Sequence, residues 1–103
     1  QRTLRSGNSI SYPGHVVVIG DVNPGAEIVA GGNIIVWGRL KGTVHAGASG
    51  DESAMVCALE LSPTQLRISE EVSITPPQKG TPRPEVARLR NGKVTAEGWE
   101  FHK

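Results

Sequence analysis

The sequence is poor in cysteine, in aromatic residues and in excess charge, and each shortage excludes a class of protein. A single cysteine, Cys57, among 103 residues rules out an internal disulfide framework. Two Trp, one Tyr and one Phe leave a core that must be built from Val, Ile, Leu and Ala. A formal net charge of +1 gives no general attraction to nucleic acid or to anionic lipid.

Long apolar runs and helix-type composition are also missing. No run approaches the ~18 residues that a membrane-spanning helix needs, and no signal-peptide pattern is visible. The chain opens at Gln1 within a stretch that reads as extended, which suggests a piece of a longer protein. Thirteen Gly and seven Pro are many for a helical protein. We therefore expect one small all-β domain.

The sequence does contain a repeated phrase. GHVVVIGDV over 14–22 returns as GNIIVWGRL over 32–40, which gives a period of 18 residues. A weaker third copy, MVCALEL over 55–61, aligns its last leucine with Leu40 and Val22. Short β-rich phrases at a near-fixed interval indicate the coils of a solenoid, which must stack to bury their apolar faces. We predict a β-helix of about three to four short coils.

After the coils the pattern changes to a linker and a hairpin. Four prolines lie within 76–84 and cannot donate to a β ladder. Val86–Leu89 and Lys93–Ala96 flank Asn91-Gly92, a strong hairpin signal, and this hairpin is expected to cap an open end of the solenoid. The predicted organisation is one domain with coils over 1–75, a linker over 76–84, a capping hairpin over 85–97 and a tail over 98–103 that carries Trp99 and Phe101.

The two strongest phrases are apolar on both faces of a strand. Because alternate side chains point to opposite faces, an inward first residue in each phrase turns the second and fourth residues outward. The outward side chains are then Val17, Ile19, Ile35 and Trp37. So contiguous an apolar patch is seldom left in water, and we expect a second copy of the chain to cover it. The alternative is a strand buried on both faces within one domain.

Charged residues occupy equivalent places in the three phrases. Asp21, Arg39 and Glu60 would form a ladder of minus, plus and minus charge, because neighbouring strands lie ~4.8 Å apart. Exposed pairs of this kind contribute only ~0.2–1 kcal/mol each, so the ladder favours the register more than it stabilises the fold.

Candidate catalytic groups are few. His15, His45 and His102 lack metal-ligand spacing, and no serine lies in a nucleophile-elbow pattern. The acidic pairs Asp51-Glu52 and Glu70-Glu71 lie in predicted loops with no partner placed across a cleft. We therefore expect no metal site, no cofactor and no catalytic set, and interpret the chain as a binding module.

An enzyme of the hexapeptide acyltransferase class is the main alternative. In that class a histidine acts as base on an acyl-CoA between coils, here His15 or His45. The spacing that favours this class is a small residue at every sixth position: Gly14, Gly20, Ala26, Gly32 and Gly38. However, this six-residue spacing stops after Val44, and two full repeats are few for a left-handed triangular prism.

An end-to-end polymer of solenoids is a third alternative. The proline-rich segment and the hairpin argue against it.

The best recognition candidate is Arg5-Ser6-Gly7-Asn8, which offers a guanidinium fork, a hydroxyl, bare backbone and an amide. On composition alone an ordinary polar turn is the simpler interpretation. Other motifs add to it, and together they make the chain resemble, over roughly residues 4–96, the C-terminal domain of the MinC family of bacterial septum-site inhibitors. Those motifs include Gly25-Ala26-Glu27-Ile28, Gly32-Asn33-Ile34 and above all Ala46-Gly47-Ala48-Ser49-Gly50-Asp51.

The resemblance implies a right-handed β-helix that dimerises through one sheet and binds the membrane-associated ATPase MinD. The family's Arg-Ser-Gly-Gln motif for MinD carries over to Arg5, Ser6, Gly7 and Asn8. Asn8 keeps the amide of the family glutamine but is one methylene shorter, which affects its reach. The resemblance also implies, through a less specific match, that Arg39 and Lys41 make further contacts with a partner.

The resemblance also implies a place in the cell. The domain would be cytoplasmic, would reach the inner face of the membrane only through MinD, and would bind no nucleic acid. It would help to place the inhibitor on the tubulin-like FtsZ and so block Z-ring assembly at wrong sites. The family's separate N-terminal domain is not in this chain, which would be the targeting and dimerisation half.

Overall fold

Within the described residues, ten short strands wind the chain into a solenoid. The computed structural model describes residues 4–73 and 83–98, and within these ranges no helix occurs that could cross a membrane. The strands are β1 (Ser9–Tyr12), β2 (Val16–Ile19), β3 (Glu27–Ala30), β4 (Ile34–Leu40), β5 (Thr43–Ala46), β6 (Met55–Leu61), β7 (Gln65–Ile68), β8 (Glu71–Ser73), β9 (Glu85–Arg90) and β10 (Lys93–Gly98).

The order of the strands in two five-stranded sheets reveals the coiling. One sheet runs β1-β3-β5-β7-β8 and the other β10-β9-β6-β4-β2. From β1 to β7 every pair within a sheet is parallel, so the chain alternates between the sheets and advances by one strand at each return. The predicted all-β solenoid is therefore confirmed, with three complete coils and β7 beginning a fourth.

The repeated phrase sets the register of the coils. β2 pairs with β4 from Val16–Ile34 to Ile19–Trp37, which is the predicted 18-residue period. The third coil is longer because the loop 47–54 is inserted before β6. A bulge between Val36 and Arg39 then restores the alignment, and Leu40 lies opposite Leu61 as predicted.

A third side of the solenoid is held by single bridges rather than by a sheet. Leu4 bridges Val22 and Val22 bridges Leu40, both in the parallel sense, and Leu61 continues the column. All four side chains are buried. Together with the two sheets, this column gives the interior three walls.

The interior is aliphatic, as the scarcity of aromatic residues predicts. Inward side chains of successive coils stack in columns, and each buried methylene contributes ~0.8 kcal/mol. β-Branched residues suit these columns because their rotamers are restricted before folding and lose little further freedom. The inward columns are Val16–Ile34–Val56, Val18–Val36–Ala58 and Ile28–Val44–Leu66.

The C-terminal end of the solenoid is covered by antiparallel strands. The β9–β10 hairpin pairs with β6, and its turn residues Asn91 and Gly92 have φ of 52° and 77°, as in a type I′ turn. The predicted capping hairpin is confirmed. At the opposite end β1 and β2 are the edge strands of their sheets among the described residues.

One predicted strand runs the wrong way for a further coil. The predicted coils extend to residue 75, but β8 folds back antiparallel onto β7 and does not continue the winding. The buried residue Ser69 allows the reversal because its φ is 54°. No glycine or proline lies at this point of the sequence to indicate a turn. The predicted linker 76–84 and tail 98–103, including Trp99 and Phe101, lie outside the described residues except for positions 83, 84 and 98.

The close stacking of coils predicts a strong effect of one methyl group. A Cβ at Gly38 would collide with the backbone carbonyl of Gly20 in the preceding coil, so Gly38→Ala should lower the free energy of unfolding by about 1–3 kcal/mol in urea titrations. Gly98→Ala is the control, because its Cβ would meet nothing within 4 Å. Equal stability of the two variants would contradict this packing.

Candidate partner-binding site

The segment Arg5–Asn8 is a tight turn at one corner of the first coil. The N–H of Asn8 donates to the carbonyl of Arg5 at 2.9 Å, and the N–H of Arg5 donates back to Oδ1 of Asn8 at 2.9 Å. Gly7 has a φ of 89°, which the third residue of a type II turn requires and glycine adopts without strain. All four residues are exposed.

The second coil holds this turn in place. The N–H of Gly7 donates to the carbonyl of Gly25 at 3.1 Å, and the N–H of Glu27 donates to the carbonyl of Asn8 at 3.0 Å. A Cβ at Gly25 would collide with Ser6, so the glycine lets the two corners pack together. The turn is therefore fixed to the solenoid by main-chain bonds on both sides.

The further candidate contacts, Arg39 and Lys41, are already engaged within the chain. Arg39 donates to Oδ2 of Asp21 from Nε at 3.3 Å and Nη2 at 2.9 Å. Lys41 Nζ lies 3.5 Å from Oε2 of Glu60. Arg5, in contrast, has no ion pair among residues 4–73 and 83–98. Of the three positively charged candidate contacts, only Arg5 lacks an ion pair with another described residue.

The predicted charge ladder keeps its register but loses one of its contacts. Arg39 lies opposite Glu60 across β4 and β6, yet Glu60 pairs with Lys41. The reason is that the guanidinium and the N–H of Arg39 both point to Asp21, at 2.9 and 2.8 Å, in the preceding coil. The prediction of a continuous ladder is therefore wrong, and the structure has two separate ion pairs instead, Asp21–Arg39 and Lys41–Glu60.

The outward face of β2 and β4 is apolar and open. Val17, Ile19 and Trp37 are 61%, 52% and 48% exposed, and Ile35 is half-buried. Their inward neighbours are buried, so the predicted orientation of all four side chains is confirmed. We call these four residues the apolar face.

The hairpin limits how far the apolar face extends. On the next strand Cys57 lies beside Ile35, and Val86 of β9 lies opposite Cys57. Both are only 5% exposed, and burial raises the pKa of the Cys57 thiol. Cys57 is thus a small buried hydrophobe, and the exposed part of this apolar surface lies on β2 and β4.

A cavity that sequence reasoning did not single out lies at the open end of the first coil. Its volume is about 550 Å³, and most of its lining is aliphatic. The cavity is lined by Ile10, Ser11, Tyr12, His15, Val16, Val17, Val18 and Ile19.

The histidines that an acyltransferase would need take part in coil-to-coil bonds. Nδ1 of His15 accepts from the N–H of Asn33 at 2.9 Å, which leaves the neutral ring without a free acceptor. Nε2 of His45 lies 2.9 Å from the carbonyl oxygen of Ser69. Within the described residues, no three His, Cys, Asp or Glu side chains are grouped to hold a metal ion.

These features define a small β-solenoid domain. It has stacked parallel coils, a hairpin cap, an exposed polar turn and an uncovered apolar sheet face. A family model described as "Septum formation inhibitor MinC, C-terminal domain" matches residues 1–99. The chain belongs to this family.

Relatives and a solved structure agree with the family. The chain is 55% identical to a probable septum site-determining protein MinC of Heliobacterium modesticaldum, covering 98% of this chain and 36% of that protein. It is 48% identical to the Clostridium acetobutylicum protein of the same name, covering 100% and 49%. A chain of the Aquifex aeolicus "MinC:MinD cell division protein complex" matches with a TM-score of 0.92 and 40% identity, over 99% of this chain and 85% of that one. The chain thus spans half or less of these curated relatives.

The Asp21–Arg39 contact predicts a measurable pH dependence of stability. The N–H of Arg39, and then its guanidinium, donate hydrogen bonds that hold the pKa of Asp21 below its usual value of 3.8. A lowered folded-state pKa stabilises the fold above about pH 4 and loses that contribution as the pH falls through the folded pKa.

Asp21→Asn keeps an oxygen acceptor but removes the charge. The variant should be less stable than the wild type by ~0.2–1 kcal/mol at pH 7, as expected for a partly exposed pair. The difference should shrink as the pH falls below about 4 and vanish once the pH has fallen through the folded-state pKa of Asp21, because residue 21 is then neutral in both proteins. Thermal unfolding across this range measures it, and a constant difference at every pH would argue against the assignment.

Proposed function

We propose that this chain is the dimerisation and targeting domain of a cell-division inhibitor, that it binds MinD through the Arg5–Asn8 turn and that it pairs with a second copy through the apolar face. The observation that supports the MinD assignment most is the match to a chain solved in a MinC:MinD complex. The turn combines the motif that carries the family resemblance with an exposed arginine that has no ion pair among the described residues.

The chemistry of the turn suits a protein surface that presents acceptors. Arg5 carries five N–H donors in a planar fork that matches a carboxylate, and Ser6 adds a short hydroxyl. Both side chains are exposed, while the main chain beneath them is held by the second coil. Such pre-organisation lowers the entropy that binding must overcome.

The apolar face suits a second copy of the same chain. A two-fold dimer places the same patch on both subunits, so an apolar face meets an apolar face. Burying a large aliphatic side chain contributes ~1.5–3 kcal/mol, and tryptophan is a frequent anchor of interfaces. Val17, Ile19 and Trp37 would supply most of that area, with Ile35 between them.

The dimer and the turn act together in this proposal. A dimer carries two turns, so it can engage two copies of MinD, and the second contact then benefits from a raised effective concentration. MinD, and not the domain itself, would hold the assembly at the inner face of the membrane. From there the domain would help to keep the inhibitor close to FtsZ and so limit division at wrong sites. Arg39 and Lys41 could add contacts only by exchanging their internal partners.

Replacing the exposed cation of the turn tests MinD binding. Arg5→Ala should weaken binding to ATP-loaded MinD by about 10- to 100-fold, the effect of losing hydrogen bonds to a charged group. Lys93→Ala removes an exposed cation of the hairpin at the far end and should bind normally. Surface plasmon resonance with immobilised MinD measures both, and unchanged affinity of Arg5→Ala would refute the assignment.

Placing a charge on the apolar face tests the dimer. Val17→Glu should shift the chain to monomer in sedimentation velocity, because a carboxylate buried between two apolar faces lacks a partner. Val72→Glu is the matched control, since Val72 is also exposed but lies on β8 of the other sheet. A wild-type chain that sediments as a monomer at micromolar concentration would disprove the interface.

A further inference from the structure

We infer that the four residues of the Arg5–Asn8 turn have two different tasks, with Asn8 acting as a positioning residue that closes the turn and Arg5 and Ser6 making the contacts. This inference rests on the proposed function, because it divides the proposed MinD-binding motif into groups that touch the partner and groups that shape the turn. It concerns Asn8 in particular, the one position at which this chain departs from the motif that the family resemblance implies.

Asn8 spends most of its hydrogen-bonding capacity inside the chain. Its N–H donates to the carbonyl of Arg5 at 2.9 Å, its Oδ1 accepts from the N–H of Arg5 at 2.9 Å, and its carbonyl accepts from the N–H of Glu27 at 3.0 Å. Only the amide NH₂ group has no bond among these. The fold-back thus uses the Oδ1 of Asn8 inside the turn, and that oxygen is not available to accept from a partner.

The length of the Asn8 side chain suits this inward role. The two bonds between Arg5 and Asn8 form a closed ring, and the ring fixes the main chain on both sides of the Arg5 Cα. Glutamine carries its oxygen one methylene further out and would have to buckle to make the same bond. The shorter residue thus exchanges reach for a more rigid turn.

Gly7 also shapes the turn and does not need to contact a partner. Its N–H is held by the carbonyl of Gly25 at 3.1 Å, and its φ of 89° is the reason for glycine. A Cβ at this position would meet nothing within 4 Å in the chain, so internal crowding does not explain the residue. Conformation alone accounts for Gly7.

The groups left for a partner are therefore donors of two kinds. The Arg5 guanidinium has no ion pair among the described residues, and the Ser6 hydroxyl is exposed beside it. A surface that presents a carboxylate next to a free peptide carbonyl would satisfy both. The site on MinD is thus expected to be acidic at the position that meets Arg5.

Two substitutions of Asn8 separate positioning from contact. Asn8→Ala removes the acceptor for the N–H of Arg5, whereas Asn8→Asp keeps that acceptor and removes the NH₂ donor. We expect Asn8→Ala to weaken binding to ATP-loaded MinD by about 3- to 10-fold and Asn8→Asp to stay within about 3-fold of the wild type. Binding is measured at two salt concentrations, because the added carboxylate acts through a field that salt screens.

Hydrogen exchange of the Arg5 amide gives a readout that does not involve MinD. The amide should be protected in the wild type and in Asn8→Asp, and should exchange faster in Asn8→Ala. The inference is overturned if Asn8→Ala binds as tightly as the wild type, if Asn8→Asp at high salt binds as weakly as Asn8→Ala, or if Arg5 exchange is the same in all three.

The failure of the proposed function has a different signature. If the wild-type chain does not bind MinD at all, the assignment of Arg5 and Ser6 as contacts fails with the proposed function. The closing of the turn by Asn8 is then judged by the exchange of the Arg5 amide alone. If the wild type binds and only Asn8→Asp loses binding, the NH₂ group of Asn8 is itself a contact, and the positioning role is wrong.

Discussion

The parallel stacking of coils is the constraint on which the rest of this molecule depends. Neighbouring strands lie ~4.8 Å apart, so each coil must place a similar side chain at the same point as the coil before it. Val16 over Ile34 over Val56 meets this demand inside, and the glycine at 38 meets it where two backbones approach. A slip by one residue would turn every inward side chain outward, so the register is strongly specified.

The same stacking also holds the Arg5–Asn8 turn, at a corner of the first coil, in a fixed position. Leu4 is fully buried and is tied to the second coil by its N–H to Asp21 and its carbonyl to the N–H of Asn23, both at 2.8 Å. The exposed turn begins at the next residue, Arg5. A short polar segment that would be mobile in isolation is therefore attached at its start to the core and at its end to β3 through Glu27.

Most of the fold could be predicted from sequence, because its signals are local and repeated. The phrases at 14–22 and 32–40 fixed a period, and the alternation within them fixed which side chains face outward. What could not be predicted depends on choices between equivalent partners or on a single dihedral angle. Glu60 pairs with Lys41 although Arg39 lies opposite it, and Ser69 reverses the chain with a positive φ that serine seldom adopts. The motif at the turn is visible in the sequence, but the fold-back of Asn8 onto Arg5 depends on a side-chain rotamer that the order of residues does not specify.

The hairpin cap decides where the molecule can meet others. It covers the β6 end of the sheet, where Cys57 and Val86 are buried against each other, and leaves β2 and β4 open. β2 belongs to the first coil, and so does the turn at Arg5–Asn8, so the apolar face and the polar turn both lie toward the uncapped end. Because the hairpin extends this sheet from β6, β2 stays an edge strand among the described residues and lies in the same coil as the turn. The placement of the cap thus links folding to function, because closing one end of the solenoid gives the other end its two exposed surfaces.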